Sequence, residues 1–186
     1  MLMSAVIGLD METISKVLES YGESVFIANI NDFSQIVISG YEDELLKASQ
    51  KLVEAGTKKI IPLKVNIASH CPLMNGVSKT LEKYFGDNFK IPVTLSQAYF
   101  SSTEVSQVKP EDIPRVLINQ LIKPVRWVES VQYLTSLYPA DGSLKAFIEV
   151  GPGKVLSGLV RRILSKTGRE DFMVFNTDSM EEIERI

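Results

Sequence analysis

The sequence predicts an α/β fold in two unequal parts, and three observations predict it. Over roughly the first 65 residues, β-branched and aromatic runs alternate with helical periodicities in the order β-α-β-β-α-β, which is the split βαβ, or ferredoxin-like, arrangement. Further on, short apolar strands are scattered among longer helices, as in a piece of parallel sheet covered by helices, with too few strands to complete one. Between the two regions stands Val65-Asn66-Ile67-Ala68-Ser69-His70-Cys71-Pro72-Leu73-Met74, which holds the only histidine and the only cysteine of the 186 residues. The expected division is a small unit over 1–66 and a larger region over 67–186.

Each element has a local reason. Ser4–Leu9 reads as a short buried strand. Asp10 offers an N-cap to a helix with Ile14, Val17, Leu18 and Tyr21 on one face, and Gly22 ends it. Val25–Ile30 and Gln35–Ser39 are strands joined by the turn-forming Asn31-Asp32-Phe33-Ser34. Glu42–Ala55 reads as a helix with Leu45, Leu46, Leu52 and Val53 on its apolar side, stopped by Gly56. Lys59–Val65 is the fourth strand, and Val65 and Ile67 alternate like its end.

In the second region Pro72 suits the first turn of a helix that carries Met74, Val77, Leu81, Tyr84 and Phe85. An apolar strand is expected near Pro92–Leu95 and a helix over Pro110–Leu121. After Pro124-Val125-Arg126-Trp127 comes a helix with Val128, Val131, Leu134 and Leu137 inside. Ala146–Val150 is a strand, turned by Gly151-Pro152-Gly153-Lys154 into a helix with Val155, Leu156, Leu159, Val160, Ile163 and Leu164 on one face. Met173–Phe175 is the last strand, followed by a short acidic helix.

Composition narrows the function. The net charge of −3 lacks the basic excess of a nucleic-acid binder. One cysteine excludes an intramolecular disulfide and fits a reducing, cytoplasmic compartment. The apolar start Met1–Gly8 has no basic flank and is too short for a signal peptide or a membrane span. No metal is expected, because one histidine and one cysteine fall short of the ligands zinc needs.

His70 stands at a strand-to-helix corner, where the positive end of the helix dipole favours the neutral ring that a general base needs. A structural role for the His70–Cys71 pair is the alternative. A thiol–imidazole dyad is disfavoured, since neighbours in extended backbone point to opposite faces. Gly151-Pro152-Gly153-Lys154 is a tight turn and not a phosphate loop, because Val155 stands where Ser or Thr is required. No Gly-x-Ser-x-Gly elbow occurs in the 186 residues. Lys154, Arg161, Arg162, Lys166 and Arg169 make one side of the Val155–Leu164 helix basic, either as a solvated face or as a docking face.

Ser69-His70-Cys71-Pro72-Leu73-Met74 resembles the catalytic-histidine motif of the malonyl-CoA:acyl carrier protein transacylases, of the acyltransferase family. Asn29-Ile30-Asn31 through Gln35-Ile36-Val37-Ile38-Ser39-Gly40 is similar to that family's cleft-lining stretch. Asn119-Gln120-Leu121 through Pro124-Val125-Arg126-Trp127 is similar to its Gln-Leu…Pro-Val-x-Trp segment. Glu149-Val150-Gly151-Pro152-Gly153-Lys154-Val155-Leu156 resembles its Glu-Val-Gly-Pro-Gly-Lys-Val-Leu. The four segments fall in the family's order and span nearly the whole chain, but only the C-terminal part of the family.

The resemblance implies a ferredoxin-like small subdomain attached to the C-terminal part of an α/β-hydrolase-like acyltransferase core. It implies transfer of malonate from malonyl-CoA, a CoA thioester, to an acyl carrier protein through an acyl-serine, without a cofactor. His70 is then the base, Gln120 or Asn119 its orienting carbonyl, Asn29 and Ser69 substrate-lining, and Lys154, Arg161, Arg162 and Lys166 a docking face for the acidic carrier protein. The serine-bearing N-terminal segment would complete the core, or self-association would cover it. The quartet Ile67-Ala68-Ser69-His70 equals neither the His-Ala-Phe-His nor the Tyr-Ala-Ser-His of related polyketide acyltransferases. The competing expectation is a non-catalytic ferredoxin-like ligand-binding or carrier-docking module.

Overall fold

The computed structural model describes residues 1–88, 90, 94–184 and 186. The chain divides into two compact units, Met1–Ser130 and Val131–Ile186.

The first unit opens with β1 (Leu2–Ile7), α1 (Met11–Leu18), β2 (Val25–Asp32), β3 (Gln35–Gly40), α2 (Glu42–Glu54) and β4 (Lys59–Pro62). These strands lie in the order β4-β1-β3-β2, all antiparallel, as the ferredoxin-like order requires. Asp10 caps α1 by accepting from the Thr13 amide at 2.8 Å. Val6, Ile36 and Ile38 are fully buried on one sheet face, where α1 and α2 pack with Ile14, Leu18, Leu45, Ala48 and Leu52. Met3, Ala5, Ala28 and Val37 form a second cluster on the opposite face, with Ile61 and Leu63 against it. Both faces are therefore covered. Gly40 is required by close packing: a Cβ there would stand 2.4 Å from the Ser24 carbonyl oxygen.

Beyond β4 the unit continues with α3 (Asn75–Asn88), the hairpin β5 (Tyr99–Ser101) and β6 (Ser106–Val108), α4 (Ile113–Ile122) and β7 (Val125–Arg126). β7 adds to β2 in parallel, as a fifth strand. α3 and α4 pack on one another, and α4 also packs on the 3-10 turn Pro72–Met74 that precedes α3.

α5 (Trp127–Ser136) leads into the second unit, which holds β8 (Ala146–Glu149), α6 (Val155–Thr167), β9 (Met173–Asn176) and α7 (Met180–Ile183). β8 and β9 pair in parallel, with α6 as the crossover. Leu159, Val160, Ile163 and Leu164 are the buried face of α6.

Several expectations are corrected. Leu46 and Val53 are 56% and 59% exposed, and Ala48 takes their place in the core, because 45, 48 and 52 keep the tighter helical stripe. On α3, Val77 and Tyr84 are exposed and Ser78 is buried. Leu137, Val155 and Leu156 are exposed as well. β4 stops at Pro62, and Val65 and Ile67 lie beyond it, exposed and outside any strand. Of the strand expected near Pro92–Leu95, residues 92 and 93 lie outside the described residues, and Thr94 and Leu95 are in no strand. The β5–β6 hairpin and β7 leave no signal in the sequence, because their strands are two or three residues long and carry no readable alternation.

Candidate active site

After β4 the chain bends to Ala68, which is fully buried, and turns at Ser69 and His70. His70 has φ 59°. A non-glycine residue in the left-handed region is uncommon and persists where its surroundings hold it there. Here the next residue does so. Cys71 is buried, its thiol donating to the Ala68 carbonyl at 3.2 Å and lying 3.6 Å from the Ser39 hydroxyl on β3. Pro72 then starts the 3-10 turn. The thiol anchors the corner to the sheet, while the imidazole makes a different contact.

That contact is with α4. His70 Nδ1 stands 2.7 Å from the Gln120 carbonyl oxygen. A carbonyl oxygen only accepts, so Nδ1 carries the proton and donates it. In the neutral ring, Nε2 is then left with its lone pair. The carbonyl is available for a covalent reason. Its partner in a continuing helix would be the N–H of residue 124, which is proline and has none. Lys123, preceding that proline, leaves the helix with φ −117° and ψ 149°. The ring thus contacts the C-terminal end of α4, while His70 also stands just before the 3-10 turn Pro72–Met74 that leads into α3.

Among the described residues no group of three or more His, Cys, Asp and Glu side chains is placed to hold a metal ion. Glu104, at the β5–β6 turn, is one residue that sequence reasoning missed. Its Oε1 accepts from Arg115, Asn119 and Lys123, each at 3.3 Å. The signal was a polar stripe at every fourth position of α4.

No protein-family model matches the chain. It is 34% identical over 173 residues to the malonyl CoA-acyl carrier protein transacylase of Salmonella typhimurium, covering 87% of this chain and 51% of that protein. Against the Bacillus subtilis protein of the same name the identity is 36% over 168 residues, covering 87% and 50%. The solved structure of the Coxiella burnetii malonyl CoA-acyl carrier protein transacylase matches with a TM-score of 0.86 at 29% identity, over 99% of this chain and 55% of that one. A malonyl-transacylase solved in complex with a type II PKS acyl-carrier protein matches at 0.85 and 28%, over 98% and 56%.

The chain is similar to part of the malonyl CoA-acyl carrier protein transacylases. It spans about half the length of the curated relatives it aligns with.

The remaining residues that the transacylase resemblance singles out are placed as follows. Asn29 lies half-buried on β2, paired with Val37 on β3 and Val125 on β7. A β-bulge at Ala28 moves the register from Ile27↔Ile38 to Asn29↔Val37. It thereby turns Asn29 from the helix-covered face to the face on which Cys71 docks. Its amide makes no hydrogen bond among the described residues, nor does the hydroxyl of half-buried Ser69. His70 and Gln120 are the candidates brought into direct contact.

Lys154, Arg161, Arg162 and Lys166 are all exposed, and Arg161 donates to the Val174 carbonyl of β9 at 2.6 Å. At the start of α6 the anion position is already filled from within. The Glu149 carboxylate accepts from the Leu156 and Ser157 amides at 3.1 and 2.7 Å and from the Ser157 hydroxyl at 2.7 Å. Burial pushes this carboxyl up, but those bonds outweigh it and hold it below the usual carboxylate range. The Gly151–Lys154 turn is a structural one, with φ 133° at Gly151 and 86° at Gly153. Among the described residues no helix is long and apolar enough to cross a membrane.

Proposed function

We propose that this chain supplies the general base of an enzyme that moves a malonyl group from malonyl-CoA to the phosphopantetheine thiol of an acyl carrier protein in fatty-acid biosynthesis. The observation that carries the reading is the Nδ1–H donor held on the Gln120 carbonyl, which leaves Nε2 as the free base. The similarity to the transacylases supports it.

In the first half-reaction Nε2 accepts the proton of a serine hydroxyl as the oxygen attacks the thioester carbonyl. The tetrahedral intermediate collapses to the acyl-serine, and the imidazolium returns the proton to the departing CoA sulfur. In the second, Nε2 takes the proton of the carrier thiol, whose sulfur attacks the ester, and the serine oxygen leaves with the proton. The Gln120 carbonyl does the work of a triad acid: it fixes the ring, and the negative end of α4 stabilises the positive charge that arrives with the proton. The thioester supplies the activated acyl group, so the transfer needs no cofactor.

The serine comes from residues outside these 186, since they contain no elbow. Asn29 and Ser69 line the acyl site. The basic side of α6 meets the acidic carrier protein and speeds its docking. The setting is cytoplasmic.

The test is a fusion of this chain to the serine-bearing half of the Bacillus subtilis relative. Radiolabelled malonate passes from CoA to carrier protein on the fusion, and the 186-residue chain alone gives none above background. A folded fusion that loads neither its serine nor the carrier protein contradicts the reading.

A further inference from the structure

We propose that Glu104 is a positioning residue for His70, acting by holding the last turn of α4 so that the Gln120 carbonyl stays on Nδ1. The proposal rests on the reading of His70 Nε2 as the base.

The turn between β5 and β6 is built to present this side chain. Val105 N–H closes on the Ser101 carbonyl at 2.8 Å, and the buried Ser101 hydroxyl accepts from the Thr103 and Glu104 amides, each at 3.2 Å. Val105 follows with φ 53°, where a β-branched side chain is a genuine outlier. The loop is thus held in one shape against local preference.

From that loop, Glu104 Oε1 gathers Arg115 Nη1, Asn119 Nδ2 and Lys123 Nζ, one face of α4 down to its end. Asn119 immediately precedes Gln120. On the far side of Pro124, the Arg126 amide donates to the Ser102 carbonyl of the same turn at 2.8 Å. The hairpin tip therefore grips the chain on both sides of the carbonyl that His70 uses. Burial pushes the Glu104 carboxyl up, but the hydrogen bonds from Asn119 and Lys123 and the nearby cations hold it below the usual range, so it is ionised at neutral pH. Arg115 and Lys123 are 53% and 47% exposed, and ion pairs with such partners contribute little to stability. Orientation is what the cluster supplies.

The 186-residue chain has one histidine, so imidazole ¹⁵N shifts report its tautomer without assignment. In the wild type the Nδ1–H tautomer dominates. In Glu104→Ala the ratio of Nδ1–H to Nε2–H falls by roughly threefold to tenfold, the factor an ordinary hydrogen bond commands. The Trp127 indole signal and the circular dichroism stay native. A residue with only a structural role lowers the melting temperature and leaves this ratio alone. If Glu104→Ala does not fold, the pair Arg115→Gln/Lys123→Gln, at exposed positions, carries the same expectation. An unchanged ratio in a folded variant overturns the proposal. A wild type without Nδ1–H preference instead overturns the reading of His70 beneath it.

Discussion

His70 donates through Nδ1 to the Gln120 carbonyl at 2.7 Å, and it can do so because Pro124 has no N–H to claim that carbonyl first. The orienting acceptor of the candidate base is thus created by a helix ending. An acidic side chain is not needed for it.

Replacing Pro124 tests that causal link. Pro124→Ala restores the missing N–H and lifts the steric bar that keeps Lys123 out of the helical region. The last turn of α4 then competes with His70 for the carbonyl. In the serine-bearing fusion, kcat for malonyl transfer falls by about tenfold, the upper range for one redirected hydrogen bond, with little change in thermal stability. Unchanged kcat shows that the carbonyl is not limiting.

Glu149 ties the second unit together. Glu149→Gln weakens charge-assisted bonds to the start of α6 and costs about 1–2 kcal/mol of stability at neutral pH. The folded carboxyl titrates below its unfolded value. Its contribution is therefore fully present above the ordinary carboxylate range and is lost as pH falls through the lowered folded value. Denaturant melts of the wild type and the variant should converge on acidification, and a constant gap between them argues against this role.

Trp127 Nε1 is buried without a hydrogen-bond partner among the described residues. Replacing an unsatisfied buried donor by an apolar ring is favourable, against a cost for the volume that the smaller phenyl leaves unfilled. Trp127→Phe should melt at or above the wild-type temperature by scanning calorimetry. A loss larger than about 1 kcal/mol would mean that lost packing or a satisfied indole N–H outweighs the gain from removing the donor.

The second unit also carries apolar side chains in the open. Leu144 and Val150 are 82% and 84% exposed, and Val155, Ile148 and Met173 are exposed with them. Exposed apolar groups of this kind mark association surfaces. Sedimentation of the 186-residue chain should show concentration-dependent self-association, reduced in the serine-bearing fusion. A monomer at all concentrations removes this expectation.

Much of the first 60 residues was legible, because the β-branched runs, the Asp10 cap and the turn residues Asn31-Asp32-Phe33-Ser34 act locally and agree with one another, although β2 runs on through Asp32 and leaves Phe33-Ser34 as the turn itself. Apolar side chains at adjacent positions do not by themselves choose the buried helix face. Leu46 and Val53 repeat the spacing of Leu45 and Leu52, and it is Ala48, between the latter two, that marks the buried stripe. The β-bulge that turns Asn29 has no marker at Ala28. The contact between His70 and α4 joins segments 50 residues apart, beyond any local periodicity, and it entered through family resemblance. The Gln120-to-Pro124 spacing and the Arg115–Asn119–Lys123 stripe were in plain view, but their meaning depends on what α4 faces.

The most direct test compares two neighbouring substitutions in the serine-bearing fusion. His70→Ala should reduce radiolabelled malonyl transfer to background, because the serine loses its proton acceptor. Cys71→Ala should keep most of the transfer, because the thiol only anchors the corner against Ala68 and Ser39. The reverse ranking, with Cys71→Ala inactive in a folded protein and His70→Ala active, would contradict the assignment of the base to His70.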